Sequence, residues 1–340
     1  MCKIKTRILT EKDISEAAKI LKSGGLVAIP TETVYGLAAN AFDETAIKKI
    51  FLAKGRPSDN PLIVHISDID EIYNLVSEFT CEAQKLANSF WPGPLTIILK
   101  KSKIIPDSVS GGLDSVAVRL PDNIIARKII KEAGFPLAAP SANLSGKPSP
   151  TNASHVFSDL SGKIEAILDA GPCKVGLEST VVSLCNDVPK ILRPGAVTVE
   201  QLENVLGKVE VDEAVFNKLS ENVPPLSPGL KYKHYAPNAK VVILNGSREK
   251  YLNYVNSHAD ENILALCYSE DIKDLKVPAI TYGTELDSKM QAEVLFDALR
   301  NIDQVKNVDL VFARCPEKNG IGLAVFNRLI RAAGFNIFNL

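Results

Sequence analysis

Lys54-Gly-Arg-Pro-Ser-Asp-Asn-Pro-Leu-Ile-Val-His65 follows a segment of helical spacing, residues 43–53, and ends inside an apolar run, residues 62–66. Gly55, Pro57 and Pro61 deny the intervening residues a continuous helix. The spacing therefore predicts helix, bent loop, then strand. That alternation is the unit of an α/β fold. The same twelve residues hold two cations, a small hydroxyl, an amide and an imidazole. A loop held between two rigid elements is a usual place for binding groups, and Lys54 and Arg56 beside a glycine suit a polyphosphate. A solvated basic loop is the competing reading.

The N-terminal side repeats the alternation. A strand-like stretch, residues 6–9, precedes an amphipathic helix with Ile14, Ala17, Ala18, Ile20 and Leu21 on one face, closed by Gly24-Gly25. Residues 26–30 form an apolar strand. Thr31-Glu-Thr33-Val-Tyr-Gly-Leu37 follows as a polar turn, in which Thr33 reads either as a ligand hydroxyl or as a turn residue.

On the C-terminal side come a helix at 81–90, a strand at 95–99, and Ser115-Val-Ala-Val-Arg119, where Ser115, Ala117 and Arg119 share a face. An edge-strand arginine paired with a surface carboxylate competes there with a site residue. A helix at 122–133 leads to an apolar run that opens into Ser141-Ala-Asn143-Leu-Ser-Gly146, the kind of strand end at which α/β sheets bind ligands. After loop and helix at 147–163 and a strand at 166–168, Gly176-Leu-Glu-Ser179 enters another strand, and Ile191-Leu-Arg193-Pro-Gly195 again sets a cation at a strand end. Lys54, Arg56, Arg119 and Arg193 all occupy element ends.

The chain has 340 residues, 46% hydrophobic and 23% charged, enough for two cores. Residues 1–207 carry 23 Lys+Arg against 23 Asp+Glu, leaving 16 against 17 for residues 208–340 out of totals of 39 and 40. Such balance argues against a broad electrostatic footprint for nucleic acid. Six scattered cysteines without a C-x-x-C pair argue against a zinc site or redox couple. The start of the chain has no signal-peptide pattern and no apolar run long enough to span a membrane, so a cytoplasmic protein is expected.

A proline-rich stretch, Pro224-Pro-Leu-Ser-Pro228-Gly-Leu-Lys-Tyr232-Lys-His234-Tyr-Ala-Pro237, marks a linker. Its Tyr232, His234 and Tyr235 need a surface to pack on, which makes the strap, Tyr232 and His234 in particular, a lid candidate. Beyond it, strands at 241–244, 263–267, 279–282 and 308–313 alternate with helices at 248–258, 288–300 and 322–333: a small parallel α/β unit. Gly320-Ile-Gly322 reads as helix entry and packing rather than a phosphate loop.

Thr31-Glu-Thr33-Val-Tyr-Gly-Leu, Lys54-Gly-Arg56-Pro with Asn60-Pro-Leu, Ser141-Ala-Asn143, Ser179-Thr and Arg193-Pro-Gly resemble the YrdC/Sua5 family of threonylcarbamoyl-AMP synthases. The Ser-Pro-Gly-Leu-Lys-Tyr-Lys-His-Tyr-Ala-Pro segment is similar to the join to the second domain of its long Sua5 form. The resemblance implies a twisted open α/β sheet with a concave site at 1–207, a linker crossing the active site at 208–239, and a smaller Rossmann-like parallel α/β domain at 240–340. It implies that L-threonine, bicarbonate and ATP, with Mg²⁺, give threonylcarbamoyl-AMP, pyrophosphate and water. The product would supply the tRNA threonylcarbamoyl transferase machinery that makes N6-threonylcarbamoyladenosine.

Carried over residue by residue, Thr33, His65, Arg119, Ala139 and Ser179 would hold threonine. Arg56, Asn60, Ser115, Ser141, Asn143, Ser149 and Arg193 would hold ATP, and Lys54 with Arg56 would stabilise phosphoryl charge; no protein metal ligand is implied. Two other readings compete. One is a double-stranded RNA or tRNA binder, with weak tRNA binding also compatible with the synthase. The other is a hydrogenase-maturation-type carbamoyltransferase, against which the missing C-x-x-C pairs speak.

Overall fold

The computed structural model describes residues 4–218, 235–259 and 262–340. Its first sheet takes β1 (Arg7–Leu9), β2 (Val27–Ile29), β3 (Gly36–Asn40), β4 (Ile63–His65), β5 (Leu95–Lys100), β6 (Ser115–Arg119), β7 (Leu137–Ala138), β8 (Ala166–Leu168), β9 (Thr180–Ser183), β10 (Lys190–Arg193) and β11 (Glu210–Val211). Across the sheet the order is β1-β8-β2-β3-β7-β4-β6-β5-β9-β10-β11, with parallel and antiparallel pairs mixed. Among the described residues the α-helices of this unit are α1 (Ile14–Lys22), α2 (Glu44–Lys54), α3 (Ile72–Leu75), α4 (Cys81–Phe90), α5 (Asp107–Ser110), α6 (Ile124–Ala133), α7 (Ala153–Leu160) and α8 (Val199–Leu206).

Strand alternation divides the apolar residues between the two faces. Ala28, Leu37, Ala39 and Val64 pack with α2 and α4 on one side. Val27, Ile29, Ala38 and Leu137 pack with α1 and α6 on the other. A one-residue slip in any of these strands would exchange the two sets, so the register is strongly fixed. Caps define the helices. Asp43 accepts from Thr45 N at 2.9 Å and Ala46 N at 3.1 Å to start α2, and Gly55, at φ 61°, ends it in the left-handed conformation. That end leaves Lys54 in the last turn, buried.

Two expectations are corrected here. Gly36 and Leu37 are not the tail of a polar turn but the start of strand β3, paired antiparallel with β2. Small residues, Gly36, Ala38 and Ala39, carry little strand preference of their own, and burial between β2 and β7 decides their conformation. Arg119 is not on an edge strand: β6 lies between β4 and β5.

The second unit is a five-stranded parallel sheet. Its strands are β12 (Lys240–Asn245), β13 (Ile263–Cys267), β14 (Ala279–Thr281), β15 (Leu310–Arg314) and β16 (Ile337–Asn339), in the order β14-β13-β15-β12-β16. Helix α9 (Arg248–Ser257) covers one face, and α10 (Ser288–Ile302) and α11 (Gly320–Ala332) cover the other. Gly322 admits the close backbone of Glu317, where a Cβ would meet its carbonyl oxygen at 2.7 Å, so the glycines in the first turn of α11 serve helix entry and packing. The core under α10 and α11 also takes in Val34 and Leu177 of the first unit. The two units share apolar packing.

Candidate functional site

β4 and β6 run parallel with His65 opposite Arg119 and Ile63 opposite Ala117. Both side chains of the first pair emerge on the same face, into a cleft. The cleft is also lined by Thr31 and Thr33 after β2, Lys54 and Arg56 after α2, and Ala139, Ser141 and Asn143 after β7. Glu178 and Ser179 before β9, Arg193 at the end of β10, and Tyr235 also line it.

The floor is a buried hydrogen-bonded set. Arg119 donates through Nη1 to Thr33 Oγ1 at 2.9 Å and through Nε to the Gly93 carbonyl at 3.2 Å, and its Nη2 lies 2.6 Å from Glu32 Oε1. Thr31 donates its one hydroxyl proton to the Val34 carbonyl at 2.6 Å, so the 2.9 Å contact between the Thr31 and Thr33 hydroxyls has Thr33 as donor. Thr33 thus accepts from Arg119 and donates to Thr31. His65 is buried, and burial together with the Arg119 charge pulls its pKa down to about 3. It is neutral at neutral pH. Arg119 is then the cation beside it, a fork suited to a carboxylate.

Lys54 is a clamp. Its ammonium donates to the Ser141 carbonyl, to Asn143 O at 2.7 Å and to Asn143 Oδ1 at 3.3 Å, binding the 141–143 loop to the end of α2. Burial and then the neighbouring Arg56 charge hold its pKa well below the usual lysine range. Ser141 Oγ donates to Asn143 Oδ1 at 2.6 Å, and Asn143 Nδ2 donates to the Leu144 and Lys147 carbonyls, both at 2.8 Å. Arg56 Nη2 donates to the Pro61 carbonyl at 3.2 Å, which bends the basic loop back on itself.

On the far wall Arg193 donates to Ser179 O at 3.0 Å and to Ser179 Oγ at 3.1 Å, and Thr96 shares a 2.7 Å hydroxyl contact with Ser179. Burial, partly offset by the Glu178 charge, lowers the Arg193 pKa to about 10, still fully cationic at neutral pH. Glu178 accepts from Ser149 Oγ and from Arg328 Nε.

Three of the expected residues do not line the cleft. Ser149 lies behind Glu178. Ser115, at the start of β6 opposite Lys100, is at the other end of the strand from Arg119. Asn60 is buried just before Pro61, and its amide oxygen and nitrogen have no hydrogen-bond partner among the described residues. A buried amide of that kind requires a polar ligand or water. Tyr232 and His234 lie outside the described residues. Tyr235, from the same strap, reaches the cleft and packs on Phe296 of α10 with ring centroids 5.0 Å apart.

Glu32, Glu178 and Arg328 are the participants that sequence reasoning missed. Glu32 and Glu178 sit inside the motifs read for their threonine and serine neighbours, and that adjacency was the available signal. Arg328 gave none. Glu178, which lines the cleft, is ion-paired with Arg328, and Glu32, behind the lining, with Arg119; the described residues contain no cluster of three or more His, Cys, Asp or Glu able to hold a metal.

Residues 19–195 match the family described as Telomere recombination, and residues 197–334 match the family described as Threonylcarbamoyl-AMP synthase, C-terminal domain. The threonylcarbamoyl-AMP synthase of Pyrococcus abyssi is 45% identical over 338 residues, 98% of this chain and 97% of that one. Its counterpart from Bacillus subtilis is 45% identical over 329 residues, 95% and 94% of the two chains. A crystal structure of P. abyssi Sua5 complexed with L-threonine has the same fold, with a TM-score of 0.91 at 43% identity over 98% of this chain and 100% of that one. Both units are matched in order and almost end to end, and the chain therefore belongs to the Sua5 family of threonylcarbamoyl-AMP synthases.

Proposed function

We propose that this protein condenses L-threonine, bicarbonate and ATP into threonylcarbamoyl-AMP, releasing pyrophosphate and water. The observation that carries the reading is one cleft in which a carboxylate-binding fork, Arg119, with the hydroxyls of Thr33 and Ser179, faces the cations Arg56 and Arg193. The first set suits a hydroxy amino acid, and the second suits a polyphosphate. Arg119 grips the threonine carboxylate, Thr33 and Ser179 bond its polar groups, and neutral His65 and Ala139 close the pocket around it. Arg56, Ser141, Asn143 and Arg193 hold ATP from the cleft walls, and Asn60, Ser115 and Ser149, which stand outside its lining, are assigned to ATP by the family resemblance. The partnerless amide of buried Asn60 supports that assignment.

Threonine's amine combines with bicarbonate to give a carbamate and water. A carbamate oxygen then attacks the α-phosphorus, and the bond to the leaving pyrophosphate breaks. Negative charge builds on the phosphoryl oxygens, where preorganised cations contribute most. Arg56 and Arg193 supply that charge directly, and Lys54 holds the 141–143 wall against them. Mg²⁺ arriving with ATP would neutralise phosphate charge, with no side-chain cage of its own. No covalent enzyme intermediate is required.

We assign catalysis to the unit of residues 1–207, with 208–239 joining it across the site to 240–340. The presence of Tyr235 in the cleft supports that path. The product is a substrate for the transferase machinery that modifies tRNA, which places the protein in the cytoplasm; among the described residues no helix is long and apolar enough to cross a membrane. The test is incubation with ATP, labelled bicarbonate and threonine. Labelled threonylcarbamoyl-AMP detected by mass, dependent on all three, is expected; pyrophosphate release without it would overturn the assignment.

A further inference from the structure

Arg328 lies on α11, in the second unit, and is fully buried. Its guanidinium reaches across to the catalytic cleft. Nε donates to Glu178 Oε2 at 2.8 Å, Nη2 to the Glu178 carbonyl at 3.1 Å, and Nη1 to the Pro194 carbonyl at 2.7 Å and to Asn327 Oδ1 at 3.0 Å. One planar group thereby ties together two segments that approach the site separately. Glu178 precedes Ser179, and Pro194 follows Arg193. The second carboxylate oxygen of Glu178 faces the other way and accepts from Ser149. Burial on its own would raise the Glu178 pKa, but the Arg328 and Arg193 charges outweigh it and bring the carboxyl down to about 2, so the acceptor is a carboxylate at neutral pH.

We propose that Arg328 is a positioning residue for the ATP side of the site: it fixes Glu178, which orients Ser149, and it holds Pro194 so that Arg193 keeps its place beside Ser179. The second unit is then part of the catalytic apparatus through a side chain and not only through the connecting strap. This inference rests on the ATP-binding reading of Ser149 and Arg193. A docking role alone is the competing account, and it predicts equal effects on both substrates.

Removing one partner of a buried ion pair leaves an uncompensated charge and can prevent folding. The variants are therefore R328K, which keeps the charge but loses the fork, and R328M/E178M, which removes both charges together. S149A and the triple variant S149A/R328M/E178M complete a cycle. ATP and threonine affinities are measured separately by calorimetry on the full chain, with thermal melting to verify the fold. R328K, R328M/E178M and S149A should each weaken ATP binding about fivefold, with threonine binding within about twofold of wild type. Residues acting through one another are non-additive, so the triple variant should lose less than about twofold beyond R328M/E178M. Folded R328K and R328M/E178M that bind ATP like the wild type, or lose ATP and threonine equally, would overturn the relay. So would a triple variant showing the full product of the separate losses. A silent S149A would instead refute the ATP reading of Ser149, and the relay with it.

Discussion

His65 and Arg119 lie opposite each other in adjacent strands, and burial makes their charge states unequal. The folded-state pKa of His65 is depressed to about 3 from an ordinary 6.5. Its contribution is therefore fully present above about pH 6.5 and is lost as pH falls toward 3, because the unfolded chain takes up a proton that the folded one excludes. Over that window the histidine contributes a slope of about 1.4 kcal/mol per pH unit. His65→Gln should remove that slope from unfolding free energies measured by urea titration between pH 6 and 4. An unchanged slope would show that His65 is protonated in the fold. The two signature cations should separate by their partners. Arg56→Ala should lower kcat/KM about 10- to 150-fold, the worth of one charge-assisted contact, with little loss of stability. Lys54→Met strips three acceptors of a buried donor and should cost activity and also about 1–3 kcal/mol of stability. Melting curves of the two variants distinguish these outcomes. For substrate, valine in place of threonine forfeits the hydrogen bonds of the substrate hydroxyl to the pocket, an expected loss of about 1–3 kcal/mol, whereas serine loses a methyl at about 1 kcal/mol. Equal turnover of valine and threonine would contradict the assigned pocket.

Among elements, the β9–β10 pair sets the far wall. Gly195 follows β10 where the backbone passes against β9: a Cβ there would meet Thr180 N at 2.4 Å and Ser179 C at 2.8 Å. Both are backbone atoms, so a methyl must displace a strand rather than a flexible side chain. Gly195→Ala should destabilise by about 1–3 kcal/mol and shift Ser179 relative to Arg193. A lower urea midpoint, with kcat/KM falling more than in a surface variant of equal stability, is the expected result. The helices of this fold were the easiest elements to read, because amphipathic spacing and caps such as Asp43 and Gly55 are local in the chain. β3 was misread because its Gly and Ala residues have no strong preference of their own. Helix α8, capped by Thr198 and Gln201, and the closing strand β16 were not anticipated.

At the scale of the whole molecule, the two units are joined by buried contacts of several kinds. Val34 and Leu177 enter the core of the second unit. Arg300 of α10 donates to Asp159 at 2.8 Å and to the Pro148 carbonyl, next to Ser149. A fragment of residues 1–218 would expose Val34 and Leu177 and leave Glu178 without Arg328. It should aggregate more readily than the full chain and retain threonine binding better than ATP binding. Light scattering and calorimetry on the fragment check both parts. A soluble fragment with full ATP affinity would show that the second unit is dispensable for the site.

By itself the sequence determined most of the alternating α/β elements, the two-unit plan and many of the residues, from Thr33 to Arg193, that line the cleft, because helical and strand periodicity, caps, prolines and contiguous motifs are properties of neighbours in the chain. It could not disclose the partners of those groups. Glu32 binds Arg119 across 87 residues of sequence, and Arg328 meets Glu178 across 150. Strand order decides the first pairing and docking of the second unit decides the other. A buried charge is held by whichever opposite charge the packing brings within about 3 Å, and only the tertiary structure fixes that distance.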